Sequence, residues 1–357
     1  MLPKEARAAG NSKTKMVGRF NKIRQVDRCS PKTFQYRRWL ANKRMKSLSG
    51  LSYLTQLPAA PETESGWPWT EESMHIPRLM PDGSEWPKIS IITPSFNQGR
   101  FIEETIRSVL LQNYPNLEYI ILDGGSTDET LNKIKQYEPF ITYWESNKDD
   151  GQYWAINKGF SLSSGRIMCW LNSDDMLFPN ACYSVASVFK NNKTVKWITG
   201  IPAHWTENGK LYQILENNIA YNRYLLAHAC YESRAVHWIM QECTFWTRDL
   251  WLASGSYLDT HLNYAADFEL WLRFAKFAYL YRVNSLLGGN RRHAGQKTAT
   301  AGLYEKEVQH VIRKRGHLLI NALFRTRLIR LLTRAILMIK KDERNIHFDA
   351  ANMSWKI

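Results

Sequence analysis

Between residues 88 and 199, short apolar runs alternate with stretches of helical periodicity, and this alternation is the feature that most constrains the fold. Five runs have the length and composition of strands: KISIIT, EYIIL, ITYWES, RIMCWL and VKWITG. The stretch after the first run places its apolar residues on one helical face, at Ile102, Ile106, Val109 and Leu110. Strands that alternate with helices favour a mainly parallel sheet, with functional groups on the loops after the strands. We therefore predict an α/β fold.

Two of these runs end in acidic turns. The run IMCWL leads into the tetrad Asn172-Ser173-Asp174-Asp175, and the run EYIIL leads into the sequence DGGSTD at 123–128. Clustered carboxylates at the carboxyl edge of a sheet are suited to hold a divalent cation beside a bound nucleotide. The tetrad alone also fits a polar turn in which Asp175 or Asn172 caps the following helix.

Five motifs occur in order along residues 88–298: ISIITPSFNQG, ILDGGSTDET, KDDGQYWAINKGF, GRIMCWLNSDD and AADFELWLRFA. Together they resemble the family 2 glycosyltransferases, and several agreeing motifs are far more specific than any one of them. The resemblance implies a GT-A fold, in which helices flank a mainly parallel, Rossmann-like sheet. It also implies a nucleotide-sugar donor, with UDP as the default nucleotide, and inversion at the anomeric carbon.

A divalent cation, Mn²⁺ or Mg²⁺, is the cofactor that this chemistry predicts, because the departing diphosphate carries negative charge that must be offset. Asp174 is the first choice for the metal ligand, with Asn172 and Asp175 as neighbours. Family members often have Asp where this chain has Asn172, so the site carries less negative charge here. His293 lies in a segment that resembles the family's closing loop, as a third ligand or a diphosphate contact. A solvated surface histidine is the alternative.

The resemblance also implies a nucleotide-binding set, spread over the turns after the first strands and the tetrad: Thr93, Pro94, Phe96, Asn97, Asp123, Asp149, Lys158 and Ser173. In this set Asp123 accepts a hydrogen bond from the nucleobase. Phe96 is equally compatible with a core position, and Lys158 with a solvated surface lysine. Relatives frequently carry a second acid where this chain has Gly124, and many carry Asp in place of Trp154, a difference that bears on which sugar is accepted.

The general base that an inverting transfer requires is predicted to be Asp267. This residue opens the amphipathic segment DFELWLRFA, which resembles the family segment whose Asp has that role. A helix N-cap is the alternative role for Asp267, and Glu269 is a weaker candidate for the base. On the acceptor or phosphate side we expect Glu242, Arg291 and Lys297, the last two in a polar, basic loop at 288–297.

The formal charge of +15 is concentrated at the two ends of the 357-residue chain. Residues 1–50 hold 14 Lys and Arg against 2 acids, residues 310–345 hold 10 against 2, and the body between them is mildly acidic. We therefore predict a basic N-terminal extension and linker (1–87), a GT-A domain (88–305) and a basic amphipathic helical region (306–357). No nucleic-acid recognition module accompanies the charge, so no nucleic-acid partner is expected.

The C-terminal region repeats apolar residues at helical spacing, in the set Leu328, Leu331, Leu332, Ala335, Ile336 and Ile339. Arginines lie on the other face of this helix, which favours contact with an anionic membrane surface. A helix docked on the catalytic domain is the alternative. The five cysteines show no CxxC spacing, and neither a signal peptide nor a spanning run is recognisable, so we expect a cytoplasmic protein at the membrane face.

These features predict a metal-dependent, inverting glycosyltransferase that acts on a saccharide or lipid-linked acceptor in cell-surface glycan synthesis. Two alternatives remain at this point. A nucleotidyltransferase also uses carboxylate-bound metal on an α/β sheet, and a non-catalytic membrane or nucleic-acid scaffold would account for the basic ends.

Overall fold

The computed structural model describes residues 52–215, 221, 223–227, 239–297, 302–316, 345–349 and 354–357. The basic stretch at 1–50 and the predicted amphipathic helix at 318–341 lie outside these residues. In the part of the chain that is described, no helix is both long and apolar enough to cross a membrane.

One sheet of eleven strands organises the described residues, in the order β11-β10-β9-β6-β8-β4-β1-β2-β3, with β5 paired to β9 and β7 to β6. The strands are β1 (Ile89–Ser95), β2 (Leu117–Asp123), β3 (Tyr143–Ser146), β4 (Ile167–Trp170), β5 (Met176–Leu177), β6 (Trp197–Trp205), β7 (Leu211–Ile214), β8 (Thr244–Thr247), β9 (Leu280–Arg291), β10 (Asn345–Asp349) and β11 (Ser354–Lys356). β4, β1, β2 and β3 are mutually parallel, as are β6, β9 and β10. β8 separates the two groups and runs antiparallel to both neighbours.

Eight α-helices accompany the strands in the described residues. They are α1 (Ile102–Leu110), α2 (Thr130–Gln136), α3 (Gln152–Leu162), α4 (Ala181–Asn191), α5 (Arg223–Ala227), α6 (Arg248–Ala253), α7 (Ala266–Phe277) and α8 (Leu303–Lys314). Short 3₁₀ turns lie at Glu138–Phe140 and Gln241–Cys243. The predicted α/β fold is confirmed, because each strand predicted between residues 88 and 199 is present and helices connect the parallel strands.

The registers of the parallel strands explain where the acidic turns lie. Ser95 at the end of β1 is opposite Asp123 at the end of β2, and Ile92 is opposite Trp170 at the end of β4. The carboxyl ends of these strands therefore meet at one edge of the sheet, where open α/β sheets bind ligands. The tetrad begins two residues after Trp170, so it extends this same edge.

The polar segment predicted as a loop at 288–297 begins as strand instead, because residues 288–291 are the end of β9. Gly288 makes this strand possible. A Cβ atom on Gly288 would lie 2.0 Å from the backbone carbonyl oxygen of Glu242, closer than any real contact. β9 also pairs with β6 and β5, so its last residues are held in the sheet beside the tetrad.

Residues 52–87, predicted as part of an extension and linker, pack against the sheet domain. The guanidinium of Arg107 on α1 is buried and donates to the carbonyl oxygens of Pro58, Pro68 and Trp69 at 2.8–2.9 Å. Leu57 belongs to the main hydrophobic core. A buried Arg that satisfies three carbonyls ties this segment to α1 by hydrogen bonds as well as by apolar contact.

Candidate functional site

A cavity of about 700 Å³ opens at the carboxyl edge of the parallel strands. Ten of the predicted site residues line it: Pro94, Phe96, Asp149, Asn172, Ser173, Asp174, Asp175, Glu242, Asp267 and Lys297. The other six predicted residues lie outside the lining: Thr93, Asn97, Asp123, Lys158, Arg291 and His293. The cavity has the volume of a typical small-molecule site, and its walls combine aromatic rings with carboxylates.

The first candidate metal ligand, Asp174, lies beside His293. The Nε2 atom of His293 is 3.0 Å from Oδ2 of Asp174, and the imidazole packs on the ring of Phe101 at a centroid distance of 4.4 Å. Two ligand atoms at this separation can bind one cation from adjacent positions of its coordination shell. Among the described residues, no group of three His, Cys, Asp or Glu side chains is placed to hold a metal. This pair therefore fits a cation whose other ligands come from substrate or water.

The two neighbours of Asp174 in the tetrad have structural partners. The carboxylate of Asp175 is buried and accepts the backbone N–H of Arg291 and the side-chain amide of Asn172, both at 2.9 Å. Burial raises the pKa of Asp175 well above its usual range. The carbonyl oxygen of Asn172 accepts the amide of Gln152 at 2.8 Å. Neither side chain caps the following helix, whose N-cap is Asn180.

Arg291 is buried beneath the tetrad, with none of its side chain exposed. Its Nε donates to the backbone carbonyl oxygen of Asp174 at 2.8 Å. Its two terminal nitrogens donate to the backbone carbonyl oxygen of Glu207 at 2.9 Å and to the carboxylate of Glu104 at 2.7 Å. The guanidinium therefore supports the turn at 172–175 from beneath, and its donors are occupied by protein rather than directed at a phosphate.

Asp267 lies in the first turn of α7 and faces the cavity. Residue 265, an alanine, is the N-cap position, so Asp267 is not the helix cap. The hydroxyl of Tyr304 donates to the two carboxylate oxygens of Asp267 at 3.1 and 3.2 Å. Burial raises the pKa of Asp267 to about 6, which leaves the group ionised, yet basic, near neutral pH.

Glu242 provides a second carboxyl group of the same wall. Burial, together with the charges of Asp267 and Asp174, raises the pKa of Glu242 to about 7. The weaker candidate Glu269 is directed elsewhere, because its buried carboxylate forms a salt bridge to Arg273 at 2.8 Å. Asp267 and Glu242 thus bring two carboxyl groups with raised pKa values to one wall of the cavity, an arrangement common at catalytic sites.

On the predicted nucleotide side, Phe96 has 60% of its side chain exposed and lines the cavity, so it is available to stack on a planar base. Asp149 also lines the cavity, and its Oδ1 accepts the N–H of Gly151 at 2.9 Å. Burial raises the pKa of Asp149. A Cβ at Gly124 would lie 3.2 Å from this carboxylate, so Asp149 occupies the space beside the position where relatives carry a second acid.

Asp123 holds the turn that follows β2. Its carboxylate is buried and accepts the N–H groups of Gly125 and Ser126 and the hydroxyls of Ser126 and Ser146, at 2.5–3.1 Å. The side-chain oxygen of Asn97 accepts the N–H of Thr127 at 2.9 Å, which joins the turns after β1 and β2. Asp123 therefore shapes the wall of the cavity through these internal bonds.

Two more residues of the predicted nucleotide-binding set have partners away from the cavity. The hydroxyl of Thr93 is buried 3.2 Å from that of Tyr119. Lys158 on α3 forms an ion pair with Glu145 on β3. Neither side chain is directed at the cavity in this arrangement.

The predicted residue Lys297 contacts cavity residues that were not predicted, namely Gln152, Tyr153 and Tyr264. The ammonium of Lys297 donates to the side chain of Gln152 at 3.0 Å and lies 5.1 and 5.6 Å from the ring centroids of Tyr153 and Tyr264. Burial lowers the pKa of Lys297. Gln152 and Tyr153 belong to the motif KDDGQYWAINKGF, and membership of this motif is the sequence signal that could have identified them as site residues. Tyr304 lies outside every recognised motif and far from Asp267 in the sequence, so its hydrogen bond to Asp267 could not be predicted from the sequence.

Comparison with known proteins places this geometry in context. The model of glycosyl transferase family 2 matches residues 90–254. An uncharacterized glycosyltransferase of Rickettsia prowazekii (strain Madrid E) is 28% identical over 218 residues, which cover 60% of this chain and 67% of the relative. The poly(ribitol-phosphate) beta-N-acetylglucosaminyltransferase TarP of Staphylococcus aureus (strain N315) is 35% identical over 112 residues, which cover 30% of this chain and 34% of TarP.

Among solved structures, that of S. aureus TarS residues 1-349 in complex with UDP-GlcNAc superposes with a TM-score of 0.50 at 16% sequence identity. The match covers 63% of this chain and 64% of that one, and it shows the shared fold. The chain thus spans about two thirds of the length of the Rickettsia relative and of the TarS structure, and about a third of TarP.

Proposed function

We propose that this protein, whose residues 90–254 match the model of glycosyl transferase family 2, transfers a sugar from a nucleotide-diphosphate sugar to an acceptor hydroxyl with inversion at the anomeric carbon. One observation carries the proposal: Asp174 and Asp267 lie on the wall of the same cavity. A cation-binding carboxylate for the leaving diphosphate and a basic carboxylate for the acceptor are the two charged groups that this reaction requires.

In the proposed reaction, Asp267 accepts the proton of the acceptor hydroxyl while that oxygen attacks the anomeric carbon from the face opposite the nucleotide. The bond between the sugar and the diphosphate breaks, and the diphosphate leaves with the electron pair. The raised pKa of Asp267 suits this role, because a base with a pKa near the working pH is the most effective. Tyr304 holds the carboxylate toward the cavity during the transfer.

On the donor side, Phe96 stacks on the nucleobase and Asp149 faces the ribose and sugar. Asp174 and His293 would hold a divalent cation, Mn²⁺ or Mg²⁺, which when bound offsets the charge of the diphosphate. The ammonium group of Lys297 adds a positive charge on the same side of the cavity. Its partial burial strengthens its electrostatic attraction to a phosphate. UDP remains the default donor nucleotide from the family resemblance.

For the acceptor we propose a saccharide or lipid-linked saccharide of a cell-surface glycan. The name of the relative TarP, a transferase acting on poly(ribitol-phosphate), supports this class. The mixed carboxyl and aromatic wall formed by Glu242, Tyr264 and Tyr304 also supports it, because carbohydrate hydroxyls form hydrogen bonds with carboxyl groups and sugar rings pack on aromatic faces.

Contact of residues 318–341 with an anionic membrane from the cytoplasmic side remains part of the proposal. Deletion of these residues should then release the protein from anionic vesicles.

The test is release of nucleoside diphosphate from nucleotide sugars in the presence of manganese and an acceptor saccharide. The wild-type protein should release it, and Asp267→Asn should lower the rate about 10²- to 10⁴-fold. Asp150→Asn is the matched control, because Asp150 is exposed and outside the cavity lining, and it should retain the wild-type rate. Pyrophosphate release from a nucleoside triphosphate would instead support a nucleotidyltransferase. An unchanged rate in Asp267→Asn would remove this residue from the reaction.

A further inference from the structure

Helix α8 (Leu303–Lys314) contacts the beginning of α7 through two polar side chains one turn apart. Tyr304 donates its hydroxyl to the Asp267 carboxylate. The carboxylate of Glu307 accepts three consecutive backbone N–H groups, those of residues 263, 264 and 265, at 2.7, 2.7 and 2.9 Å. The helix is anchored on its other face by buried apolar residues, among them Val308 and Ile312.

The start of α7 requires such a partner. The first N–H groups of a helix have no acceptor within the helix, and a polar side chain at the N-cap usually supplies one. Here the N-cap is Ala265, which has no acceptor and makes no side-chain cap bond. Glu307, 42 residues further along the chain, instead accepts the N–H of this N-cap residue and of the two residues before it, and its negative charge suits the positive end of the helix.

We propose that Tyr304 and Glu307 are positioning residues that set the orientation and the basicity of Asp267. The inference rests on the proposed function, in which Asp267 is the base. Tyr304 orients the carboxylate by bonding both of its oxygens, and Glu307 fixes the backbone from which that carboxylate projects. A positioning error of about 1 Å at a reacting group can cost about 100-fold in rate, so both contacts bear directly on turnover.

The two residues act on the basicity of Asp267 in opposite directions. The Tyr304 hydroxyl favours the ionised carboxylate by donating to it, whereas the negative charge of Glu307 disfavours ionisation. Among the described residues, Glu242 from the 3₁₀ turn and Tyr153 from α3 also face Asp267, and the Tyr153 hydroxyl accepts the N–H of Ala266 at 3.4 Å. These two groups are the same in each variant below, so a change in titration reports on α8.

The experiment measures kcat/KM against pH for Tyr304→Phe, Glu307→Gln and the control Glu305→Gln. Glu305 lies on the same helix and is exposed. Tyr304→Phe should move the acid limb of the profile upward by about one pH unit. Glu307→Gln should move it downward and lower kcat about tenfold, while the KM for the donor stays within about twofold. The control should overlay the wild type.

The outcomes separate this inference from the proposed function. If Asp267→Asn is inactive but both α8 variants keep the wild-type acid limb, the positioning role is wrong and the base assignment stands. If Asp267→Asn is active, the base assignment itself is wrong. Tyr304→Phe keeps the ring and its packing, so this variant retains the fold and gives a result even if Glu307→Gln is unstable.

Discussion

The backbone N–H of Arg291 donates to Oδ1 of Asp175 at 2.9 Å, and this bond fastens the end of β9 to the turn that presents Asp174. The same arginine bonds the carbonyl of Asp174 through its side chain. Residues far apart in the sequence thus form one rigid support below the cavity. Sites held by buried hydrogen bonds in this way keep their ligands in a fixed geometry.

Substitution of Arg291 should cost more stability than its distance from the reaction suggests. Arg291→Ala leaves Glu104 in a largely buried position without its cation, and breaking a buried pair typically costs about 3 to 5 kcal/mol. Equilibrium unfolding in urea measures this loss. Arg292→Ala is the control, because the neighbouring side chain is exposed, and it should cost less than about 1 kcal/mol. Equal losses would contradict the bracing role.

The Asp174 and His293 pair should carry the metal dependence of nucleotide binding. Manganese together with UDP should raise the melting temperature of the wild type by mass action, and EDTA should remove the part of this rise that depends on metal. Asp174→Asn and His293→Ala should each lose that part, while Asp150→Asn keeps it. A metal-dependent rise that survives in Asp174→Asn would place the cation elsewhere.

Asp267 should make the folded state less stable as the pH rises. The pKa of Asp267 is about 6 in the folded protein against an ordinary value of 3.8, so the folded state holds a proton between these values that the unfolded chain has lost. The cost of burying the carboxylate therefore grows as pH rises through this window and is complete above pH 6. Asparagine does not ionise and avoids the cost.

From pH 5 to pH 8, Asp267→Asn should accordingly gain about 1 kcal/mol in free energy of unfolding relative to the wild type. Urea unfolding at the two pH values measures the difference. Asp249→Asn serves as control, because 80% of the Asp249 side chain is exposed, and it should follow the wild type at both pH values. A constant difference between Asp267→Asn and the wild type would argue against the raised pKa.

Gly288→Ala should disturb the wall that carries Glu242. The added methyl group would overlap the carbonyl oxygen of Glu242, which is backbone and cannot rotate away, so we expect a loss of about 2 to 3 kcal/mol. Gly295→Ala is the comparison, because its nearest neighbour is the His293 ring at 3.4 Å, an ordinary contact. Thermal unfolding of the two variants distinguishes them, and similar melting temperatures would refute the packing argument.

The strands and helices around the site follow from local sequence. Apolar runs of strand length and the face of α1 predicted the sheet edge, and chain order alone placed Asp123 and Asp174 at strand ends. The one error of this kind, at 288–291, arose because glycines and polar residues signal a loop, whereas here the glycines admit a strand that passes close to Glu242.

What the sequence determined, then, is the α/β framework, the family resemblance and which carboxylates lie at the carboxyl edge of the sheet, because periodicity and motif spacing are local properties. The tertiary structure alone decided which partners each of these carboxylates has. Asp123 and Asp175 are taken up by internal hydrogen bonds, whereas Asp174 remains beside His293 and Asp267 beside Tyr304. These pairings depend on contacts between segments that are distant in the sequence, and the burial of the carboxyl groups then sets their pKa values. Neither the pairings nor the pKa values can therefore be read from a local sequence pattern.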